Sequence, residues 1–175
     1  TKALLWHWHH NDYKAILFAR NLTISLEHMG VKVFPNSYTV WHFDDKIAQK
    51  YLFEAINSPL ISSYVFYEKE KALEWSAKTT FPKVFKLKGG AGAQNVTLIN
   101  TKAKADQYIK KIFSTGLNKI NRTSQLKEKI WVLKRDKNKE SIINLIKGVA
   151  RLFFLHDEAK NNPIERNYLY AQDFI

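Results

Sequence analysis

The chain contains no cysteine. That absence excludes a disulfide framework, a cysteine-based zinc knuckle and a thiol nucleophile together, and it accords with a cytoplasmic protein. Long hydrophobic runs are also missing. No stretch approaches the ~20 apolar residues that a membrane-spanning helix requires, so no membrane partner is expected. The opening "TKALLWHWHH" has no initiator methionine and no signal-peptide layout, and it passes at once into an apolar strand. A chain cut from a longer protein is therefore expected. Acidic residues are scarce in one region. From Lys102 to Arg151 there are fourteen Lys/Arg against four Asp/Glu, a net of +10, whereas the rest carries fourteen against twelve, a net of +2. The overall charge of +12 thus belongs to one segment. Such a segment suits nucleic acid, a phosphorylated ligand or an acidic partner, or is simply a lysine-rich solvated helical face.

What is present is globular: 45% hydrophobic and 14% aromatic residues over 175 positions, enough for one domain or parts of two. "ALLWHW" reads as a strand, Asn11 or Asp12 as an N-cap, and Tyr13 to Met29 as a helix stopped by Gly30. "VKVF" follows as a second strand, completing a β-α-β unit that looks like the tail of an α/β domain. A break comes at "PNSYTVWHF". Asp44 or Asp45 then caps a helix with Ile47, Ala48, Tyr51, Leu52, Ala55 and Ile56 at 3.6-residue spacing. "SSYVFY" is a strand, Lys69 to Ala77 a short helix, and "KVFKLK" a strand with "NVTLIN" as its hairpin partner. "KAKADQYIKKIF" is helical with Ala103, Tyr108, Ile109, Ile112 and Phe113 on its apolar side. Residues 114–147 are polar, basic and punctuated. "NLIKGVARLFFL" is more apolar, and "NYLYAQDFI" closes the chain as a strand.

Three of the six glycines fall within four residues, in "FKLKGGAGAQNV". Glycine lets backbone N–H groups approach an anion with no Cβ in the way, and neighbouring lysines add point charge for a phosphate. The spacing fits neither G-x-x-x-x-G-K-[ST] nor G-x-G-x-x-G, because a strand and not a helix follows the glycines. Two readings remain: a strand–loop–strand flap over phosphates, or an ordinary glycine-rich hairpin turn.

Upstream, Asp45-Lys46 opens a helix; a proline turn, a strand and a short helix follow, then Pro82 through Lys86, and then Gly89-Gly90-Ala91-Gly92-Ala93. The chain ends on "YAQDFI". This order resembles the ATP-grasp superfamily, in its ribosomal-protein-modifying and glutathione-synthetase-like ligase branch, over roughly residues 41–175. The resemblance implies an α/β (α+β) fold. Residues 1–40 would be the C-terminal part of a pre-ATP-grasp β-α-β domain. Residues 41–175 would be the N-terminal, nucleotide-clamping part of an ATP-grasp domain, with a basic helical insertion at about 114–148. It implies that Lys46 and Lys86 contact nucleotide phosphates. The flap would comprise Gly89, Gly90, Gly92, Ala93, Gln94 and Asn95. The backbone of Gln172 and Asp173, with Phe174 and Ile175, would hold the adenine. The implied activity is an ATP-dependent carboxylate–amine or carboxylate–thiol ligase acting through an acyl-phosphate, with ATP, Mg2+, a carboxylate and an amine or thiol acceptor as partners. Two lysines and a row of backbone donors suit triphosphate charge, and an apolar slot suits a purine.

The family's magnesium ligands come from the half that follows the hinge, so this chain is assigned no catalytic or metal residue. Asp157, Glu158 and Glu165 precede the hinge and match none of those ligands. The chain alone is expected to show no turnover, to bind ATP weakly or not at all, and to self-associate through "NYLYAQDFI" as an exposed edge strand. "HWHH" at 7–10, His42 and His156 complete no metal pattern, and Trp41, Trp75 and Trp131 read as packing residues. The alternative is a basic nucleic-acid-binding module using 102–151, with Tyr108, Phe113, Trp131, Phe153 and Phe154 stacking on bases.

Overall fold

The computed structural model describes residues 3–5, 13–89, 95–118 and 164–175. The expectations for 6–12, for Gly90 to Gln94 and for 119–163 (Trp131, Phe153, Phe154, His156, Asp157 and Glu158 among them) lie outside the described residues. The architecture is mixed α and β, built on two sheets.

The first sheet is the expected β-α-β unit. Strands β1 (Ala3–Leu5) and β2 (Lys32–Phe34) pair in parallel, Leu4 opposite Val33, with helix α1 (Tyr13–His28) between them. Gly30, at φ +75, ends α1: its N–H bonds the Glu27 carbonyl while the Val31 N–H reaches Leu26. That is the paired closure a left-handed glycine permits at a helix end. Where a break was expected, a short helix α2 (Ser37–Val40) forms, because the Asn36 side chain accepts the Thr39 N–H at 3.0 Å. Val40 buries against Ile16 and Ala19 of α1, and Phe43 packs on the same cluster.

Helix α3 (Lys46–Ala55) is capped by Asp45, whose Oδ1 accepts from Ile47 and Ala48 at 3.1 and 3.0 Å. Its buried positions are Ile47 and Lys50, while Tyr51, Ala55 and Ile56 are exposed, contrary to the apolar stripe read from sequence. The Lys50 stem substitutes for an apolar residue, its ammonium reaching Glu54 Oε1 at 2.5 Å.

The second sheet has four antiparallel strands: β3 (Ser63–Phe66), β4 (Lys83–Lys86), β5 (Val96–Ile99) and β6 (Leu169–Asp173), in the order β3-β6-β4-β5. The β4–β5 hairpin is as expected. The edge position foreseen for the C-terminal strand is not: β6 lies between β3 and β4, so the premise of edge-to-edge pairing through it fails. The reason is visible in "LYAQ", buried at every position on both faces, which is the pattern of a central strand and not of a charge-protected edge.

Helices α4 (Lys69–Lys78) and α5 (Lys102–Ile112) cover one face of this sheet. Ala72, Ala105 and Ile109 pack on Phe85, Ile99, Leu169 and Ala171, with Trp75 tilted against Tyr64, Phe66 and Phe85 at 5.1, 5.4 and 6.2 Å. Ser76 donates to Asp106 Oδ1 at 2.9 Å and ties the two helices together. The buried stripe of α5 is Ala105, Ile109 and Ile112, not the expected Ala103, which is exposed. Two residues make about 200° of helix, so Ala103 faces away from Ala105.

Candidate functional site

The face of the sheet turned away from α4 and α5 carries the residues singled out from sequence. Directly opposed residues of antiparallel strands share a face. The register therefore groups Ser63, Gln172, Val84 and Leu98 in one row, and Val65, Tyr170, Lys86 and Val96 in the next. Leu98 and Val96 are exposed, whereas Tyr170 is buried with Ile47 of α3, Val65, Leu87 and Tyr168 in a second cluster.

Lys86 and Gln172, read as a phosphate lysine and a hinge residue, meet on this face. The half-buried Lys86 ammonium donates to Gln172 Oε1. Gln172 Nε2 donates to Ser63 Oγ at 3.2 Å, and Ser63 Oγ donates to the Ile61 carbonyl at 2.8 Å. This chain of donors runs in one direction, so the amide presents its oxygen to the lysine. The oxygen is neutral, so among the described residues no carboxylate is shown to balance the lysine charge, and burial lowers the Lys86 pKa from its ordinary value. A cation so placed gains from an incoming anion.

The other hinge residues divide. The Asp173 carboxylate is engaged on the helix side of the sheet by Lys83 Nζ at 2.5 Å, with the Tyr64 hydroxyl at 3.5 Å and the Tyr64 ring 5.7 Å from the ammonium. Its backbone N–H bonds the Ser62 carbonyl at 2.9 Å. Phe174 and Ile175 are exposed past the strand end.

At the other end of β4 the glycine loop departs. Leu87 N–H donates to the Asn95 carbonyl at 3.1 Å, closing the loop root. Asn95 adopts φ +63, and its buried Nδ2 has no hydrogen-bond partner among the described residues. Gly89 is buried at the start of the loop. The Lys88 carbonyl accepts the Lys46 N–H at 2.8 Å, so the first helical residue of α3 lies beside the loop root. Strand β4 advances about 10 Å from Lys83, opposite Asp173, to Lys86 at ~3.3 Å per residue. Lys86 thus lies between the Asp173 end of the strand and the root of the glycine loop.

No protein-family model matches the chain, and no curated protein matches it.

Sequence reasoning passed over three features of this region. Lys83 is the buried partner of Asp173, although it was read only as strand. Ser63 orients Gln172. The Tyr168 hydroxyl accepts the Lys88 N–H at the loop root and donates to Glu165 Oε2, at 2.9 Å each. The one available signal was the alternation Tyr168, Tyr170, Gln172, which puts all three on one side of a strand. Among the described residues no group of three or more His, Asp or Glu could hold a metal ion, and no helix is long and apolar enough to cross a membrane. The nucleic-acid alternative loses two of its stacking residues, since Tyr108 and Phe113 pack into the core, Tyr108 edge-on to Phe85 at 5.2 Å. Trp41 is 43% exposed and packs edge-on to His42 at 5.5 Å.

Proposed function

We propose that the chain is the nucleotide-clamping part of an ATP-dependent carboxylate–amine or carboxylate–thiol ligase of the ATP-grasp type. The observation that carries the reading is the meeting of Lys86 with Gln172 on the sheet face turned away from α4 and α5, on the strand that leads to the loop root bonded by the Lys46 amide. Support also comes from Asn95, whose buried Nδ2 has no partner among the described residues, at the root of the loop proposed to close over phosphates.

On this reading the purine lies at the β6 end, against Val84 and the backbone of Gln172 to Ile175. The phosphates run toward Lys86 and the loop of residues 89–95. Lys86 supplies charge beside the phosphates, and Gln172 with Ser63 holds the ammonium in place before the ligand arrives. Fixed donors of this kind need no rearrangement as charge develops. The carboxylate substrate attacks the terminal phosphorus and ADP departs. The amine or thiol then attacks the acyl carbon, losing its proton as phosphate leaves. Magnesium, when bound, would neutralise phosphate charge and take carboxylate ligands. Those ligands are proposed to follow Ile175 in a longer protein, so no step is assigned to it here.

Lys86→Ala tests the reading in that longer protein. A charge-assisted hydrogen bond contributes about 1.5–3 kcal/mol, so ATP affinity should fall by about tenfold or more. Unchanged ATP affinity in a correctly folded variant would overturn the assignment.

A further inference from the structure

The Lys88 peptide, from which the glycine loop departs, is gripped from two directions by elements distant in sequence. Its carbonyl accepts the Lys46 N–H of α3 at 2.8 Å. Its N–H donates to the Tyr168 hydroxyl at 2.9 Å, and that hydroxyl donates to Glu165 Oε2 at 2.9 Å. Where a chain leaves a hairpin, backbone groups ordinarily turn to water. Here both are satisfied inside the protein.

The donor directions are forced. An ionised carboxylate can only accept, so the Tyr168 proton points at Glu165 and leaves the oxygen lone pairs for Lys88. Tyr168 and Glu165 are both buried. Burial, and next the Glu165 charge, push the Tyr168 phenol far above its ordinary range, so it stays protonated and its donor role does not reverse. Glu165 is itself pinned by two backbone bonds to Leu117, at 2.8 and 2.9 Å. Gly116, at φ +78, packs so closely there that a Cβ would stand 2.8 Å from the Glu165 carbonyl. A rigid neck therefore holds the carboxylate, the carboxylate holds the phenol, and the phenol holds the root of the loop.

We propose that Tyr168 is a positioning residue for the phosphate loop, its hydroxyl fixing the Lys88 peptide and with it the exit direction of Gly89 and the placement of Lys46. The functional half of this inference rests on the nucleotide reading above, and the structural half on the hydrogen bonds alone. Removing the hydroxyl takes away the hold on the Lys88 N–H, with the Lys46–Lys88 bond remaining, and leaves the hinge end of β6, five residues further on, in its register with β3 and β4.

The test is Tyr168→Phe in the longer protein that the nucleotide reading requires, with two readouts. Hydrogen exchange at the Lys88 amide should accelerate at least tenfold, while the amides of β6 keep their protection. ATP affinity should fall about tenfold with AMP affinity nearly unchanged, because only ATP extends to the loop. A general loss of stability would weaken both nucleotides alike. Wild-type ATP binding with equal ATP affinity in the variant would overturn the proposal and leave the nucleotide reading standing. A wild-type protein that binds no ATP would overturn that reading, and the positioning role with it. Should Tyr168→Phe fail to fold, Glu165→Gln keeps the side-chain volume and weakens the acceptor. The same changes are then expected at about threefold, and an unaltered Lys88 amide would overturn the proposal.

Discussion

Lys83 and Asp173 form an ion pair whose two ends sit in different surroundings, and that asymmetry predicts which deletion is worse. The Lys83 side chain is 8% exposed and the Asp173 side chain 34%. Removing one partner of a buried pair costs about 3–5 kcal/mol when the survivor is left charged and dry. Asp173→Ala leaves the Lys83 ammonium in that state, with the Tyr64 ring 5.7 Å away as partial compensation worth about 0.5–1 kcal/mol. The expected cost is about 2–4 kcal/mol. Lys83→Met keeps the buried stem and leaves a carboxylate that water can reach, so its cost should be about 0–1 kcal/mol. Urea unfolding of the two variants and of the double variant measures this directly. The double variant should be more stable than Asp173→Ala alone, because it contains no stranded cation. Equal costs for the two single variants, or a double variant no better than Asp173→Ala, would refute the reasoning.

Lys86 gives a pH signature. On the nucleotide reading only its protonated form would bind a phosphate, and burial lowers its pKa. Triphosphate affinity should therefore be level through neutral pH and fall as pH rises through a midpoint below the ordinary lysine value of about 10.4. Lys86→Met should abolish that alkaline limb in a titration followed by calorimetry. Ser76→Ala removes the buried hydroxyl bonded to Asp106 between α4 and α5. A hydrogen bond to a charged group contributes about 1.5–3 kcal/mol, so a drop at the lower end of that range is expected in urea, Asp106 being partly hydrated. Gly116→Ala would place a Cβ 2.4 Å from Ile164 Cγ2 and 2.8 Å from the Glu165 carbonyl at a positive φ. The left-handed backbone alone costs about 1–2 kcal/mol, and the backbone collision adds to it. A loss below 1 kcal/mol would mean the neck yields more easily than its geometry implies.

The β-α-β unit, the capped α3 and the β4–β5 hairpin were legible in the sequence because each carries a local signal: Gly30 after a helix, Asp45 before one, glycines between two β-branched runs. Errors arose where partners distant in sequence decide the outcome. β6 reads as a closing strand, but its place between β3 and β4 depends on pairings more than eighty residues away. A strand buried on both faces looks locally like any apolar run. Lys50 was missed on the buried side of α3 because a lysine stem can pack where its type suggests solvent. Of the candidate site, Lys86 and Gln172 were legible as separate motifs. Their contact was not, since it runs diagonally across two strands whose register no local pattern encodes.

The hinge reading changes in substance through that register. Asp173 was singled out for its backbone, and its side chain proves to be committed to Lys83 on the face opposite Lys86. A carboxylate held there stands across the sheet from the proposed phosphate path and adds no repulsion at close range. Lys83 and Lys86 lie three residues apart on one strand and so point to opposite faces. One neutralises the carboxylate of the hinge, and the other is left with a neutral amide oxygen as its partner. The same short strand thus commits one lysine to Asp173 and leaves the charge of the second for the ligand that the nucleotide reading proposes.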